Sequence, residues 1–489
     1  MLPNDKDLLL KEKVKLYNNI ANLNDCQGRL LAELEVYPTP RIVWEFEILG
    51  NIQCNFPYAA AWKSDPLSPL IGHSFSIKEP KPSSSSSNSL GPLEAIRGST
   101  AEALYGDMED VAHLLIFYLP NTRFQFRSSR QHRLIKILKQ SESEEELNSG
   151  EEGRYIESPI DDIWKLSLNI RTGALDWLNP QNRNTGTLIT TVGSLYQAKY
   201  DGTKPETFSN LQTITLNNAL ERLKHLSHFL SYANGGYIGP LYIQGYQYTQ
   251  NQLKLVQTQT SCAVALAFQV TPLEQLCNSW VTVVSDLRVY MECFPAFERM
   301  MQNPSWQETF DFTLTQYFQA TRPMIVWQVA ASAAGAALER LGYTILVEEE
   351  SDATKKTNIE FLFGVPQPKP IKKQARAYWN LGDDPGQENI SPTGKRLQLL
   401  LERIGLTKAR GYNDTDDVQS FLDVRNDAVH PRAGSMTLEQ RSQYINQGIQ
   451  WIDEVLLWRF GYSSEYFDRI QKGSPTTPRY DLSVRDSSW

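Results

Sequence analysis

Residues 421–432 read Phe-Leu-Asp-Val-Arg-Asn-Asp-Ala-Val-His-Pro-Arg and carry an arginine, a small polar side chain and a histidine within six positions. Apolar residues at helical spacing before and after this stretch predict that it lies between amphipathic helices. On a helix, Asn426 and His430 share a face because they are four residues apart, while Arg425 lies one step round. Pro431 disfavours the α region for His430, so the helix is predicted to end there and to present the imidazole at its tip.

The side chains of this stretch suit proton transfer beside a bound phosphate. Histidine can both accept and donate a proton near neutral pH, since its unperturbed pKa is about 6.5. The arginine guanidinium stays charged, and its planar fork matches two phosphate oxygens at once. A base and a fixed cation at a helix tip therefore suit attack by a ribose 2′-hydroxyl on its own phosphodiester, a reaction that requires no metal.

The order of these residues, an arginine, a polar residue, three residues of any kind and a histidine, resembles the signature of HEPN domains. These are small helical bundles found in many bacterial RNA-cleaving toxins and anti-phage defence proteins, in which the arginine and histidine of two protomers face each other. The resemblance implies that Arg425 and His430 form a catalytic centre, with Asn426 as their polar companion. It also implies cleavage of RNA without metal or cofactor, in a homodimer that forms through the C-terminal bundle.

The resemblance covers about the last third of the chain. It says little about the first two thirds, for which our hypothesis is a sensor that restrains the effector until a phage-derived or regulatory trigger binds. Lys395, Arg396 and Arg432 lie within or close to the predicted helices around the motif and are candidate RNA-binding residues. Basic and acidic residues are nearly balanced between Lys395 and Arg432, so charge alone neither supports nor excludes an RNA surface there.

Two alternatives remain open on the sequence. Arg127 and His132 have the same spacing as Arg425 and His430, although the residues around them alternate as in a strand. The second alternative is a helix C-terminus that carries a cation and an incidental histidine. In that case the chain is a non-catalytic protein whose bundle only dimerises or binds a nucleotide or a partner.

The composition indicates a multidomain protein of ordinary globular character. A chain of 489 residues is too long for one ordinary core, and its net charge of −8 argues against a protein that coats nucleic acid indiscriminately. No apolar segment reaches transmembrane length, and the N-terminal residues do not resemble a signal peptide, so no membrane association is expected. The five cysteines lie far apart, which favours free thiols in a reducing cytoplasm.

The periodicity of the apolar residues predicts an α+β multidomain fold. Apolar residues alternate over Arg41–Gly50, and further strands are predicted at 51–56, 113–119, 124–138, 164–170 and 187–196, with a flexible loop tip at 83–87. Leu211–Tyr232 instead has helical spacing and ends at Asn234-Gly235-Gly236, a helix stop. The alanine-rich segment 323–347 predicts close helix approach, and the polar segment 364–394 predicts a long connection. The predicted domains are an N-terminal helical segment (1–36), an antiparallel β-rich domain of sandwich or barrel-like form (37–201), an α+β central segment (202–304), an all-α, HEPN-like helical bundle (305–472) and a loose tail (473–489).

Other sites are less well supported by the sequence. No phosphate-binding loop, dinucleotide fingerprint, nucleophile elbow or zinc quartet occurs in it. His225 and His228 share a predicted helix, but they lack further ligands nearby and are interpreted as ordinary histidines. The basic stretch 121–140 could bind RNA through its arginines and aromatic residues. The glutamates that follow it favour an acidic loop that folds back on a basic strand.

Overall fold

The computed structural model shows a mixed α/β protein with antiparallel sheets and a C-terminal set of helices. The chain divides into two compact units, Met1–Leu276 with Asp286–Arg288, and Cys277–Ser285 with Val289–Trp489. The structure describes residues 13–23, 26–35, 40–48, 62–64, 70–78, 95–105, 109, 111–123, 154–160, 163–170, 189–198, 211–251, 254–266, 270–281, 287–379, 381, 391–406, 414–430, 436–470 and 475–485.

The first unit is built on one large antiparallel sheet. Its order is β3-β2-β1-β4-β5-β6-β15-β14-β8-β11-β10-β9, and β3 also pairs with β6, so six of the strands form a closed cycle. The strands of this sheet are β1 (Lys13–Leu23), β2 (Cys26–Glu35), β3 (Arg41–Ile48), β4 (Trp62–Ser64), β5 (Leu70–Lys78), β6 (Ala95–Tyr105), β8 (Leu114–Pro120), β9 (Arg154–Pro159), β10 (Trp164–Ile170), β11 (Ile189–Ala198), β12 (Leu211–Gln212), β14 (Tyr242–Asn251) and β15 (Lys254–Leu266). A short second pair joins β7 (Val111–Ala112) to β13 (Ile214–Thr215).

The predicted N-terminal helical segment is wrong where the structure describes it, because residues 13–35 form β1 and β2, an antiparallel pair. Leu30, Ala32 and Leu34 of β2 are fully buried, which gives this strand a period of two. A spacing of four residues, as between Leu30 and Leu34, fits both a helical turn and one face of a strand. Ala32 distinguishes a strand from a helix here, because it lies two residues from Leu30 and is buried on the same face.

The predicted boundary at residue 201 does not separate two domains, since strands from both sides share the sheet. Strand β14 pairs with β8, and β15 pairs with β6. The strands predicted at Arg41–Gly50, Trp164–Ile170 and Thr187–Tyr196 are confirmed as β3, β10 and β11. The predicted strands at 51–56 and 124–138 and the predicted loop tip at 83–87 lie outside the described residues.

The predicted helix at Leu211–Tyr232 is confirmed as α1 (Leu216–Asn234), which begins five residues later. Its N-cap is Thr215, whose hydroxyl accepts a hydrogen bond from the backbone N–H of Asn218. Gly235 ends the helix at a φ of 77°, a left-handed conformation that favours glycine. The Asn234 side chain then donates to the carbonyl of Asn121, which ties the helix end to the sheet. The stop at Asn234-Gly235 was thus predictable from local chemistry.

The second unit is mainly helical. Eight of the described helices belong to it, and one further helix, Leu287–Met291, is divided between the two units after Arg288. A two-stranded pair, β16 (Tyr466–Phe467) with β17 (Pro475–Thr476), follows the last helix. The helices are α2 (Leu287–Met291), α3 (Phe294–Met301), α4 (Pro304–Thr321), α5 (Trp327–Tyr343, followed by a π-helical turn at Thr344–Glu348), α6 (Ala353–Leu362), α7 (Lys369–Tyr378), α8 (Pro392–Arg403), α9 (Asp414–Val429) and α10 (Leu438–Phe460).

Two predictions for the helical region are corrected by the structure. The segment 364–394, predicted to be a long connection, contains α7, because lysine and glutamine are good helix formers despite their polarity. The predicted loose tail is packed where the structure describes it: Tyr480 is 2% exposed, and Arg479 donates to the buried carboxylate of Glu454. None of the helices within the described residues is both long and apolar enough to cross a membrane.

Candidate functional site

Helix α9 carries the Arg425–His430 motif and is fixed by a buried face. Val418, Phe421 and Val424 are fully buried, and burial of each such side chain contributes about 1.5–3 kcal/mol. The Phe421 ring packs edge-on against Trp451 of α10 at 5.6 Å between centroids. A Cβ atom at Gly448 would lie 2.2 Å from this ring, so only glycine lets α9 and α10 approach this closely. The opposite face of α9, which carries Gln419, Asp423 and Asn426, is exposed to solvent.

The helix ends where the sequence predicts. Its regular part stops at Val429, and the backbone N–H of His430 still donates to the carbonyl of Asn426 at 2.7 Å. Asn426 and His430 are both exposed. Within the part of the chain that the structure describes, the His430 imidazole has no hydrogen-bond partner and is open to an incoming ligand.

Arg425 is held from two sides. Its Nη1 donates to Oδ1 of Asn426 at 3.3 Å, and its Nη2 lies 3.4 Å from Oε1 of Glu339 on α5. Its stem runs over Gly335, where an added Cβ would come 3.0 Å from Cγ of Arg425. The Arg425 side chain is 29% exposed, so its guanidinium is both oriented and reachable. The structure thus brings Arg425 and Asn426 together, but it forms no hydrogen bond between Arg425 and His430 in the described chain.

Arg396 of α8 faces the same carboxylate. It forms an ion pair with Glu339, donates to Oγ1 of Thr393 at 3.3 Å and to the carbonyl of Leu362 at 3.4 Å, and stacks over the Phe363 ring at 5.0 Å. Burial lowers its pKa, the Glu339 carboxylate opposes that shift, and the positive charge of Arg425 adds to it. The guanidinium nevertheless stays charged at neutral pH. Two arginines therefore share one glutamate, which leaves one positive charge in excess.

A small cavity lies within this cluster. Its volume is about 20 Å³, enough for roughly one water molecule and far too small for a nucleotide. A substrate would therefore have to approach the arginines from the solvent side of α9. The lining includes Gly335, Glu339, Phe363, Arg396 and Arg425.

An open groove lies beside the end of α9. It measures about 450 Å³ and is lined by amide, hydroxyl and small apolar side chains without a charge. Val329 in its wall is 40% exposed, and Val429, next to the lining residue Ala428, is 49% exposed. Exposed apolar residues beside an uncharged groove are typical of a protein-binding surface. The lining residues are Gln316 and Gln319 of α4, Gln328, Val329, Ser332, Ala333 and Ala336 of α5, and Ala428 of α9.

Of the remaining predicted site residues, some are described by the structure and others lie outside the described residues. Lys395 is half-buried at the start of α8, next to Arg396. Arg432 lies outside the described residues, and so do Arg127 and His132 of the rival motif and nearly all of the basic stretch 121–140. Of the two motifs and the candidate RNA-binding residues, the structure therefore describes Arg425, Asn426, His430, Lys395 and Arg396.

Sequence reasoning missed Glu339 and Gly335. In the sequence, Glu339 only follows an apolar run, and Gly335 is one of several small residues in α5. The available signal was a carboxylate four residues after a glycine, which places both on one face of an alanine-rich helix. Which other helix meets that face is a tertiary property that periodicity does not encode.

Two buried carboxylates of α10 have structural partners. Asp453 and Glu454 of α10 are fully buried and pair with Arg469 at 2.8 Å and Arg479 at 2.6 Å. These pairs hold the segment after α10 against the helix. Among the described residues no group of three or more His, Cys, Asp or Glu side chains is arranged to hold a metal ion.

Comparison of the chain with models of known protein families, with curated proteins and with solved structures finds no match.

Proposed function

We propose that this chain is a metal-independent endoribonuclease of a bacterial defence or toxin system. In this proposal residues 305–472 form a HEPN-like effector bundle, and residues 1–304 act as a sensor that controls it. The observation that carries the proposal is the arrangement at the tip of α9: an oriented, partly exposed Arg425 beside Asn426, with the exposed imidazole of His430 one helical turn further on.

Each side chain has a defined part in the proposed reaction. Arg425 binds the non-bridging oxygens of the scissile phosphate and stabilises the charge that develops on them. Asn426 orients the Arg425 guanidinium, as its Oδ1 contact indicates. His430 removes the proton from the ribose 2′-hydroxyl, whose oxygen attacks the phosphorus while the bond to the 5′-oxygen breaks. The products are a 2′,3′-cyclic phosphate and a 5′-hydroxyl.

A second copy of the chain completes this chemistry. The leaving 5′-oxygen needs a proton, whereas one copy of the motif supplies a single histidine. A two-fold dimer that faces two α9 tips supplies a base and an acid together. The uncharged groove beside Ala428, with exposed Val329 and Val429 near it, supports a protein interface adjacent to His430.

A non-catalytic function is the alternative, in which the bundle only dimerises or binds a nucleotide or a partner. The contact between Arg425 and Glu339 favours it, because an arginine satisfied by an internal carboxylate can serve packing alone. The two functions differ in what the loss of His430 does. An exposed histidine without a partner in the described chain contributes little to stability, so its removal affects catalysis alone.

The test compares wild type, His430→Ala and a same-helix control, Asp423→Ala, on end-labelled RNA in excess EDTA. Asp423 is exposed on α9 and, within the part of the chain that the structure describes, accepts a hydrogen bond from Gln419 alone. We expect wild type and Asp423→Ala to cleave RNA to 2′,3′-cyclic phosphate ends and to leave DNA intact, since DNA lacks the nucleophile. Equal cleavage by wild type and His430→Ala, or cleavage that depends on added metal, contradicts the proposal.

A further inference from the structure

The Glu339 carboxylate lies between the guanidinium groups of Arg396 and Arg425. The same oxygen, Oε1, contacts Nη2 of both arginines. The three side chains come from three different helices, α5, α8 and α9. The Glu339 carboxylate therefore occupies Nη2 of Arg425, the arginine that binds the scissile phosphate in the proposed nuclease.

The two arginines are held with different strength. Arg396 combines the Glu339 ion pair with contacts to Thr393, Leu362 and the Phe363 ring, and its side chain is 16% exposed. Among the described residues, Arg425 makes two polar contacts, at 3.3 and 3.4 Å, which lie beyond the usual 2.7–2.9 Å of a charge-assisted hydrogen bond. Arg396 and Glu339 thus form the fixed pair, and the Arg425 guanidinium is exchangeable.

We propose that Glu339 is an internal competitor that occupies Arg425 in the free chain, and that an RNA phosphate displaces it. After displacement Glu339 remains with Arg396, whose other contacts are unchanged, while both donors of the Arg425 fork engage the phosphate. This inference rests on the proposed function, because it takes RNA as the ligand. It adds a residue outside the motif that sets how tightly the site binds RNA.

The charges support this exchange. In the free cluster, two guanidinium groups and one carboxylate leave a single positive charge, which an incoming phosphate diester neutralises. The carboxylate also repels that phosphate, so it weakens binding in two ways. A partly exposed ion pair is a weak interaction, and a phosphate with two matched oxygens replaces it readily.

The test measures binding of a short single-stranded RNA whose riboses carry 2′-O-methyl groups, so that no cleavage occurs. Fluorescence anisotropy is recorded for the full-length wild type, Glu339→Gln and Glu339→Ala at equal ionic strength. We expect both variants to bind roughly threefold to tenfold tighter, because they remove the competitor and its repulsion. The double variant Glu339→Gln with Arg425→Gln is expected to lose the whole gain.

Glu348→Gln is the matched control. Glu348 belongs to the π-helical turn after α5, pairs with Arg340 at 3.3 Å and has a side-chain exposure of 25%, against 36% for Glu339. It changes the net charge by the same amount without touching Arg425, so its affinity should equal that of wild type. An equal gain in Glu348→Gln would mean that bulk charge is responsible, and it would overturn the inference.

Two further outcomes decide the matter. Glu339 variants that bind no more tightly than wild type overturn the inference, including the case in which no protein binds the RNA. Tighter binding by these variants together with no cleavage of unmodified RNA by wild type supports the competitor and contradicts the nuclease. Failure of the inference is thus distinguishable from failure of the proposed function.

Discussion

Gly335 of α5 lies directly beneath the side chain of Arg425 of α9, so that a Cβ atom added at Gly335 would stand 3.0 Å from Arg425 Cγ and 3.4 Å from Nε. This approach fixes the direction in which the guanidinium leaves the helix. The orientation of the motif arginine is therefore set by a residue far away in the sequence, on a helix with no motif of its own.

Gly335→Ala is expected to lower RNA cleavage by about threefold to tenfold, because the added methyl group displaces the Arg425 side chain by a few tenths of an ångström. Gly342→Ala is the matched control, since a Cβ there meets its nearest atom, on Phe363, at an ordinary 3.5 Å. Both substitutions should raise the melting temperature or leave it unchanged, because alanine favours helix over glycine. Equal cleavage by both variants would contradict this role of Gly335.

Arg425→Lys is expected to reduce cleavage by about tenfold to a hundredfold, because an ammonium group cannot bind two phosphate oxygens in a fixed plane. The fold should survive, since the side chain is partly exposed and its polar contacts are long. The measurement is a single-turnover cleavage assay together with a thermal melt. Arg376→Lys, on α7, serves as the control for arginine replacement in general, and similar losses in both variants would count against a specific role for Arg425.

Of the two motifs with the same spacing, we expect only the one on α9 to matter for cleavage. His430→Ala should lose activity on the order of a hundredfold to ten-thousandfold, the usual contribution of a general base or acid. His132→Ala should stay within a few fold of wild type. Loss of cleavage in a normally folded His132→Ala protein would show that the wrong pair had been chosen.

Replacement of Val329 by lysine is expected to shift the chain from dimer to monomer at micromolar concentration and to lower cleavage in parallel. The physical reason is that an interface built on uncharged residues does not accommodate an unpaired ammonium group. Val484→Lys is the control, because Val484 is 41% exposed and Val329 is 40% exposed. Sedimentation velocity gives the mass. A wild-type protein that is purely monomeric and fully active would contradict the proposed dimer.

Acidification is expected to destabilise the first unit through His225, which is 3% exposed in α1. Burial, and to a smaller extent the positive charges of His228, Arg222 and Lys224, together lower its pKa to about 4. In the unfolded chain the imidazole has a pKa of about 6.5, so the unfolded chain binds more protons than the folded chain between about pH 4 and pH 6.5. The contribution of neutral His225 to the free energy of unfolding is therefore fully present above about pH 6.5 and is lost as the pH falls towards about 4.

Urea unfolding at about pH 7.5 and about pH 5 measures the His225 effect, for which we expect a loss of about 1–2 kcal/mol. His225→Gln should reduce the difference between the two pH values, whereas His430→Ala, which removes an exposed imidazole, should retain it. An unchanged difference in His225→Gln would assign the pH dependence to other groups.

The features that the sequence predicted correctly depend on local chemistry. The end of α9 follows from Pro431, which disfavours the α region for the residue before it. The end of α1 follows from Gly235, which adopts the left-handed conformation that favours glycine. Strand β3 follows from apolar residues at every second position from Ile42 to Ile48. Each of these can be read without knowing what packs against the segment.

The features that the sequence did not predict depend on distant partners. Residues 475–485 are held against α10 by the ion pair between Arg479 and the buried Glu454. Nothing in the sequence around either residue indicates that it pairs with the other. The pairing of Ala32 with Trp44 in the β2–β3 register decides between strand and helix for the N-terminal region. Glu339 belongs to the same class, because only the crossing of α5 with α8 and α9 gives it two arginines.

The sheet of the first unit has a consequence for the order of folding. Tyr105 at the end of β6 pairs with Ala263 of β15, so these strands meet only after the long intervening chain has closed. The second unit is instead made largely of helices, whose hydrogen bonds join residues four positions apart. Loop closure over a long segment is slow, whereas local helical contacts form quickly. In refolding from denaturant, amide protons of α5 and α10 should therefore gain protection from exchange before those of β6 and β15, which leaves an interval in which the helical region is formed while the sheet is not.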